Sequence, residues 1–146
     1  MYKKIIFYVF VFTLTAVLNI NLRAQNYGKI IPGADAQKML GSVTFSVLLH
    51  NVELQGYLNK TSNILMFNII NGKLYILDNN RKVLTPSNEK VDKEIPFKVY
   101  SVSIIKELLN LGKNNVTYIE QRGDIVSLTN GNFTLEFATT CPPICN

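Results

Sequence analysis

The sequence predicts an α+β domain: an antiparallel β-sheet of about six to eight strands, joined by hairpins, with one amphipathic helix packed on a face. Three observations carry this. Apolar residues alternate with polar ones from Val43 through Phe45, Val47 and Leu49, the period of a half-buried strand. Turn dipeptides, Asn71-Gly72 and Asn130-Gly131, divide the runs that follow. A single segment, Ser103 to Leu111, switches to helical spacing through Ile104, Ile105, Leu108, Leu109 and Leu111, and Gly112 supplies its stop.

The elements are read in order. Residues 1–24 have the layout of a secretory signal peptide: Lys3-Lys4 precede an apolar run from Ile5 to Leu18, and Leu22-Arg23-Ala24 closes it before Gln25. Thr13, Thr15, Asn19 and Asn21 interrupt the run before the roughly 20 apolar residues that a spanning helix needs. Cleavage after Ala24 is expected, which places the chain in the periplasm or outside the cell; an uncleaved leader would instead leave an N-terminal anchor. No cysteine stands beside the leader, so a lipoprotein box is missing. Ala24-Gln25, followed by an Asn-rich chain without tryptophan, resembles secreted proteins of Bacteroidota. That resemblance covers the leader and the composition alone and implies no activity.

Loss of the leader removes three of the 15 basic residues and leaves 12 against 10 acidic ones, so the formal charge falls from +5 to +2. The basic balance is therefore largely a property of the leader. The remaining lysines are dispersed, with Lys90, Lys93 and Lys98 among Glu89, Asp92 and Glu94, which argues against nucleic-acid binding. Residues 25–146 suit a single β-rich domain with a short cysteine-containing tail.

Within it, Gln25 to Gly41 reads as an irregular stretch with one helical turn near Ala34 to Leu40. Val52, Leu54 and Tyr57 are expected to continue the extended character of the first strand, with Gly56 at a bulge. Ile64 to Ile70 and Lys73 to Leu77 form a hairpin about Asn71-Gly72. Asp78 to Arg81 is a polar turn, Val83-Leu84 begins a strand that Pro86 stops, and Thr85 to Glu94 is a flexible loop. Pro96 to Tyr100 lead to the helix, which a serine can cap. Val116 to Glu120, Ile125 to Thr129 and Phe133 to Ala138 make a meander, turning at Arg122-Gly123-Asp124 and Asn130-Gly131-Asn132. Turn chemistry accounts for the Arg-Gly-Asp tripeptide without an adhesive role.

Chemistry concentrates at the end, Cys141-Pro142-Pro143-Ile144-Cys145. In an exported chain Cys141 and Cys145 are expected to close a small disulfide that pins the tail. The rival reading is thiol exchange or Cu(I) held by both sulfurs, with His50, Met39 or Met66 completing the site. Three sequons, at Asn59, Asn115 and Asn132, are what an Asn-rich chain produces by chance. No P-loop, dinucleotide fingerprint or nucleophile elbow occurs, and His50 is the single histidine. The sequence thus nominates no catalytic, cofactor-binding or metal residue. It is read as a small exported, non-enzymatic binding, accessory or inhibitor-like protein whose partner is an unidentified protein or envelope ligand. The partner-facing surface is expected on the Thr85 to Glu94 loop or the tail. The thiol or copper-handling protein is the alternative, and a small hydrolase is the third.

Overall fold

A computed structural model describes residues 26–86 and 89–141. The leader, Cys145 and most of the proline-containing tail lie outside the described residues. The fold is α+β, with nine antiparallel strands in two sheets and three helices among the described residues rather than one sheet and one helix.

The first sheet contains β1 (Lys29–Pro32), β2 (Phe45–His50), β6 (Val116–Arg122), β7 (Ile125–Asn130) and β8 (Phe133–Glu136) in the order β1-β8-β7-β6-β2. Its centre is the expected meander, joined by two-residue turns in which Gly123 and Gly131 take positive φ. Arg122 belongs to the strand, paired with Ile125, and the last strand ends at Glu136 because Phe137 adopts φ 58°. The second sheet has β3 (Ile64–Ile70), β4 (Lys73–Leu77), β5 (Phe97–Ser101) and β9 (Thr139–Cys141) in the order β4-β3-β5-β9. Asn71 and Gly72 both sit at positive φ between the paired Ile70 and Lys73, as the dipeptide predicts. Val83 makes only an isolated bridge to Leu77, short of the strand expected there.

Helix α1 (Gly33–Leu40) stands where the helical turn near Ala34 to Leu40 is expected, and strand β1 occupies part of the stretch read as irregular. Helix α2 (Asn51–Leu58) overturns the extended reading of Val52 to Tyr57. The reason is the spacing of Leu54, Tyr57 and Leu58, all buried on one helical face while Val52 is 86 % exposed. Gly56 is an interior helical residue with open space around it, and no bulge forms. Helix α3 (Val102–Gly112) buries Val102, Ile105, Leu108 and Leu109. No serine side chain caps it. The Ser101 hydroxyl instead accepts the Tyr27 N–H at 2.7 Å, fastening the N-terminal segment to β5.

The inner faces of the two sheets enclose the main core with α2 and α3, from Val47, Leu49 and Ile119 on one side to Leu65, Phe67 and Tyr100 on the other. Phe67 and Tyr100 meet edge to face at 6.0 Å, and the buried Tyr100 hydroxyl donates to the Val126 carbonyl across the sheets. A second apolar cluster covers the outer face of the second sheet. Met66, Tyr75, Leu77, Phe97, Val99 and Cys141 meet Val83, Val91 and Ile95 there. The polar stretch read as a flexible loop therefore lays part of its length on a sheet. Arg81 holds it: one guanidinium nitrogen donates to the Cys141 carbonyl and sulfur, each at 3.3 Å, and the other to the Ile95 carbonyl at 3.0 Å.

The end of α3 meets the β7 and β8 turn at a distance that only glycine permits. A Cβ on Gly112 would lie 2.0 Å from Asn130 Oδ1, and one on Gly131 2.5 Å from the Gly112 carbonyl oxygen. Asn130 is fully buried. Its amide donates to the Val116 carbonyl at 2.9 Å and to Thr117 Oγ1 at 3.0 Å, while its oxygen accepts the Asn114 N–H at 3.1 Å. Thr117 passes the connection on to Asn51 Oδ1 at 2.7 Å, the first residue of α2. Replacing Asn130 with alanine orphans these buried groups and is expected to cost about 3 kcal/mol. Urea denaturation of N130A beside the parent measures it; a loss below about 0.5 kcal/mol, the range of ordinary surface substitutions, would refute the hub.

Candidate functional site

The first sheet ends on one side in β2, and the phase of its hydrogen bonds decides what that edge presents. The Asn51 N–H donates to the Asn115 carbonyl at 2.9 Å in the register that pairs His50 with Val116. Antiparallel pairs alternate, so Leu49, Val47 and Phe45 turn their backbone groups toward β6, whereas Leu48 and Ser46 turn theirs outward. Both outward residues are exposed, and neither has another backbone partner among the described residues.

The other three edges are blunted. β1 is four residues long and carries Lys29 and Pro32, and β9 is three residues long. β4 begins with Lys73, and near its end the Ile76 carbonyl accepts the Leu84 N–H at 2.8 Å. β2 has six residues without a formal charge or a proline. It is the edge on which the usual protections are absent.

A cleft of about 530 Å³ opens where β2 meets the β4 side of the second sheet. Val47, Leu48 and Leu49 form one wall and Leu74 and Tyr75 the other, while Thr85 and Pro86 close one end. Three charged side chains stand at it: Glu53 from α2, Lys73 from β4 and Glu89 from the segment that follows. At the tip of the hairpin, Phe45 reaches across to Gly72, where an added Cβ would touch its ring at 3.7 Å.

The charges of the cleft are tied to its frame. The Tyr57 hydroxyl donates to Glu53 at 2.5 Å, and burial together with that carboxylate pushes the tyrosine up to about 12. Lys73 pairs with Glu89 at 2.8 Å, and the Tyr75 hydroxyl also donates to Glu89. The bond from Lys73, and then that from Tyr75, hold the Glu89 carboxyl below its ordinary value. Both members of the ion pair are more than half exposed, so the pair shapes the rim and contributes little to stability. The arrangement offers an apolar floor, two carboxylates, one ammonium and an adjoining strip of unpaired backbone. It suits holding a ligand, and among the described residues no histidine or cysteine lines it.

A second polar group lies on the outer face of the first sheet. Arg122, 7 % exposed, pairs with Glu120 at 2.8 Å and donates to the Gly41 carbonyl at 2.6 Å, tying down the end of α1. Thr129 donates to Glu120 at 2.8 Å and lies 3.0 Å from Thr134. Glu136 is nearby on the same face, 2 % exposed, with Oε1 unpartnered. Burial pushes its carboxyl above the ordinary value, against the opposing pull of the Ser127 hydroxyl and the Phe137 N–H. The arginine of the Arg-Gly-Asp tripeptide is thus committed to the interior.

Of the residues singled out from the sequence, the structure brings Cys141 and Met66 together and places His50 and Met39 elsewhere. Cys141 is fully buried on the outer face of the second sheet, beneath Arg81 and in the same cluster as Met66. Cys145 lies outside the described residues. His50 is exposed at the end of β2, on the other sheet, and Met39 is 60 % exposed on α1. Among the described residues, no three His, Cys, Asp or Glu side chains are grouped to hold a metal ion. No described helix is long and apolar enough to cross a membrane. The loop nominated as partner-facing does reach the cleft, through Thr85, Pro86 and Glu89. The edge strand that completes the cleft carried no nomination. Its one available signal was an uncharged run from Phe45 to Leu49.

Neither a protein-family model, nor a curated protein, nor a solved structure matches this chain.

The Glu136 carboxyl gives a prediction with a definite sign. Its folded-state value is raised, so the unfolded chain ionises first and stability is lost as pH climbs from about 4.5 through the folded-state value. Glu136→Gln is expected to remove this loss. Urea midpoints for both proteins across that range check it: the parent should fall relative to the variant, and parallel curves would acquit the residue.

Proposed function

We propose that this chain is a small exported, non-enzymatic binding protein, acting as an accessory or inhibitor-like module in the bacterial envelope or outside the cell. The observation that supports this reading is the cleft beside β2. Val47, Leu49 and Leu74 give it an apolar floor, and Glu53 and Glu89 bring carboxylates to it from separate elements. Binding sites are commonly concave, largely apolar and fitted with a few polar groups that orient the ligand. The cleft has that character, and its walls come from paired strands rather than from loops alone.

Export rests on the composition of residues 1–24, which carry the apolar run and its flanking lysines. In that setting we read Cys141 and Cys145 as a bridged pair that secures the tail. The burial of Cys141 beneath Arg81 favours a structural sulfur over one exposed for exchange.

Two experiments test these readings. Leu48 is 48 % exposed, so Leu48→Asp should leave the fold intact while placing a charge at the cleft. Capture of a partner from the native envelope fraction is expected with the parent and lost with L48D. Equal capture by both would remove the cleft as the binding surface, and failure of the parent to capture any partner, or turnover of a substrate by the purified protein, would defeat the binding assignment. For the cysteines, alkylation of the exported protein without reductant should leave its intact mass unchanged; an increase of two adducts would show free thiols and reopen the thiol or copper reading.

A further inference from the structure

We infer that the cleft takes an extended segment of a partner polypeptide, which adds to β2 as a sixth strand and places a lysine or arginine between Glu53 and Glu89. This rests on the cleft being the binding site and adds the mode of recognition and the chemistry of the ligand.

The backbone argues for the mode. Ser46 and Leu48 each turn an N–H and a C=O outward, so the edge offers donors and acceptors in the spacing of an antiparallel or parallel partner strand. A small rigid ligand would leave that strip unmatched, whereas a polypeptide in extended form satisfies it along its length. Side chains on one face of the added strand would meet Val47, Leu49 and Leu74, and those on the other would lie beside Leu48. The exposed aromatic rings of Phe45 and Tyr118, each 39 % exposed, extend the apolar surface on either face of the edge.

Charge argues for the occupant. Among the described residues two carboxylates stand at the cleft against one ammonium, and that ammonium is already engaged with Glu89. The surplus is negative, and a cationic side chain relieves it. The same count disfavours a second copy of this chain pairing through its own β2. That strand carries no lysine or arginine, and the union would bring two acidic clefts together. Addition is permitted here because the protective lysines and prolines of the other edges are missing from this one.

The test uses a positional library of synthetic nonapeptides with apolar residues at alternate positions, bound to the isotope-labelled protein and followed by amide chemical shifts. Selected peptides are expected to be enriched in lysine or arginine at one position and to shift the Ser46 and Leu48 amides. Methylating the backbone nitrogens of alternate residues in a selected peptide should weaken binding about tenfold in one of the two phases and little in the other. Leu48→Pro removes an outward N–H at a site where an edge strand tolerates proline, and should weaken binding similarly. Charge neutralisation in the double variant E53Q/E89Q should abolish the basic preference.

Peptides that shift the Leu74 and Thr85 amides, yet tolerate methylation in both phases and the L48P change, would overturn strand addition while leaving the cleft as the site. Binders that perturb only residues away from it would overturn both. Selection of acidic peptides, no selection at all, or a dimer in sedimentation that L48P dissolves would overturn the assigned occupant.

Discussion

The buried amide of Asn130 couples parts of the molecule that are distant in sequence. It stands where the end of α3 presses on the β7 and β8 turn, and from there it reaches the start of β6 and, through Thr117, the start of α2. Both glycines at the contact are needed because the two backbones approach more closely than any side chain allows. A donor and acceptor locked at this point sets where α3 ends and where β2 gives way to α2. The bare edge of β2 is consequently held at both ends, by Asn51 at one and by the Thr44 amide on the Gln121 carbonyl at the other. A rigid edge loses little conformational freedom on binding, which suits it better than a loop to the recognition proposed for it.

Two cores divide the remaining work. The larger lies between the sheets and gains its tightness from α3, which packs against β5, β7 and β8. The smaller is made by loop residues folded onto the outer face of the second sheet and held by Arg81, whose guanidinium also lies 5.3 Å from the Phe97 ring. The outer face of the first sheet is different in kind. It buries Arg122 and Glu136 among hydroxyls, beside the half-buried Glu120, an arrangement costly to desolvate and weak evidence for stability.

Local patterns were legible and distant ones were not. Asn71-Gly72 announced its hairpin because only a few residue types tolerate the required dihedrals, and the α3 stripe was readable because its apolar residues recur on one helical face. Helix α2 was misread. After a shift of phase across His50-Asn51, the alternation of β2 resumes at Val52 and Leu54, and the discriminating residue, Leu58, lies at the far end. Strands β1 and β9 are too short to generate a period. The division into two sheets, the anchoring of the loop by Arg81 and the cleft itself depend on residues brought together from separate segments. No window of sequence contains Val47, Leu74 and Pro86 at once. The polar cluster was concealed for a related reason, since Glu120, Arg122 and Glu136 have the composition of surface residues and acquire their burial only from the sheet and α1.

The order of strands in the first sheet has a consequence for how the chain reaches its structure. β1 pairs with β8, so that Lys29 lies opposite a residue more than a hundred positions later, and β2 waits for β6 across some seventy. During synthesis from the N-terminus, both early strands emerge long before anything they can pair with. The meander of β6, β7 and β8 is local and can form by itself, but it needs the last part of the chain. Folding is therefore governed by closure of long loops, a slow route in which the uncharged strand proposed for recognition is exposed to every other chain in the meantime.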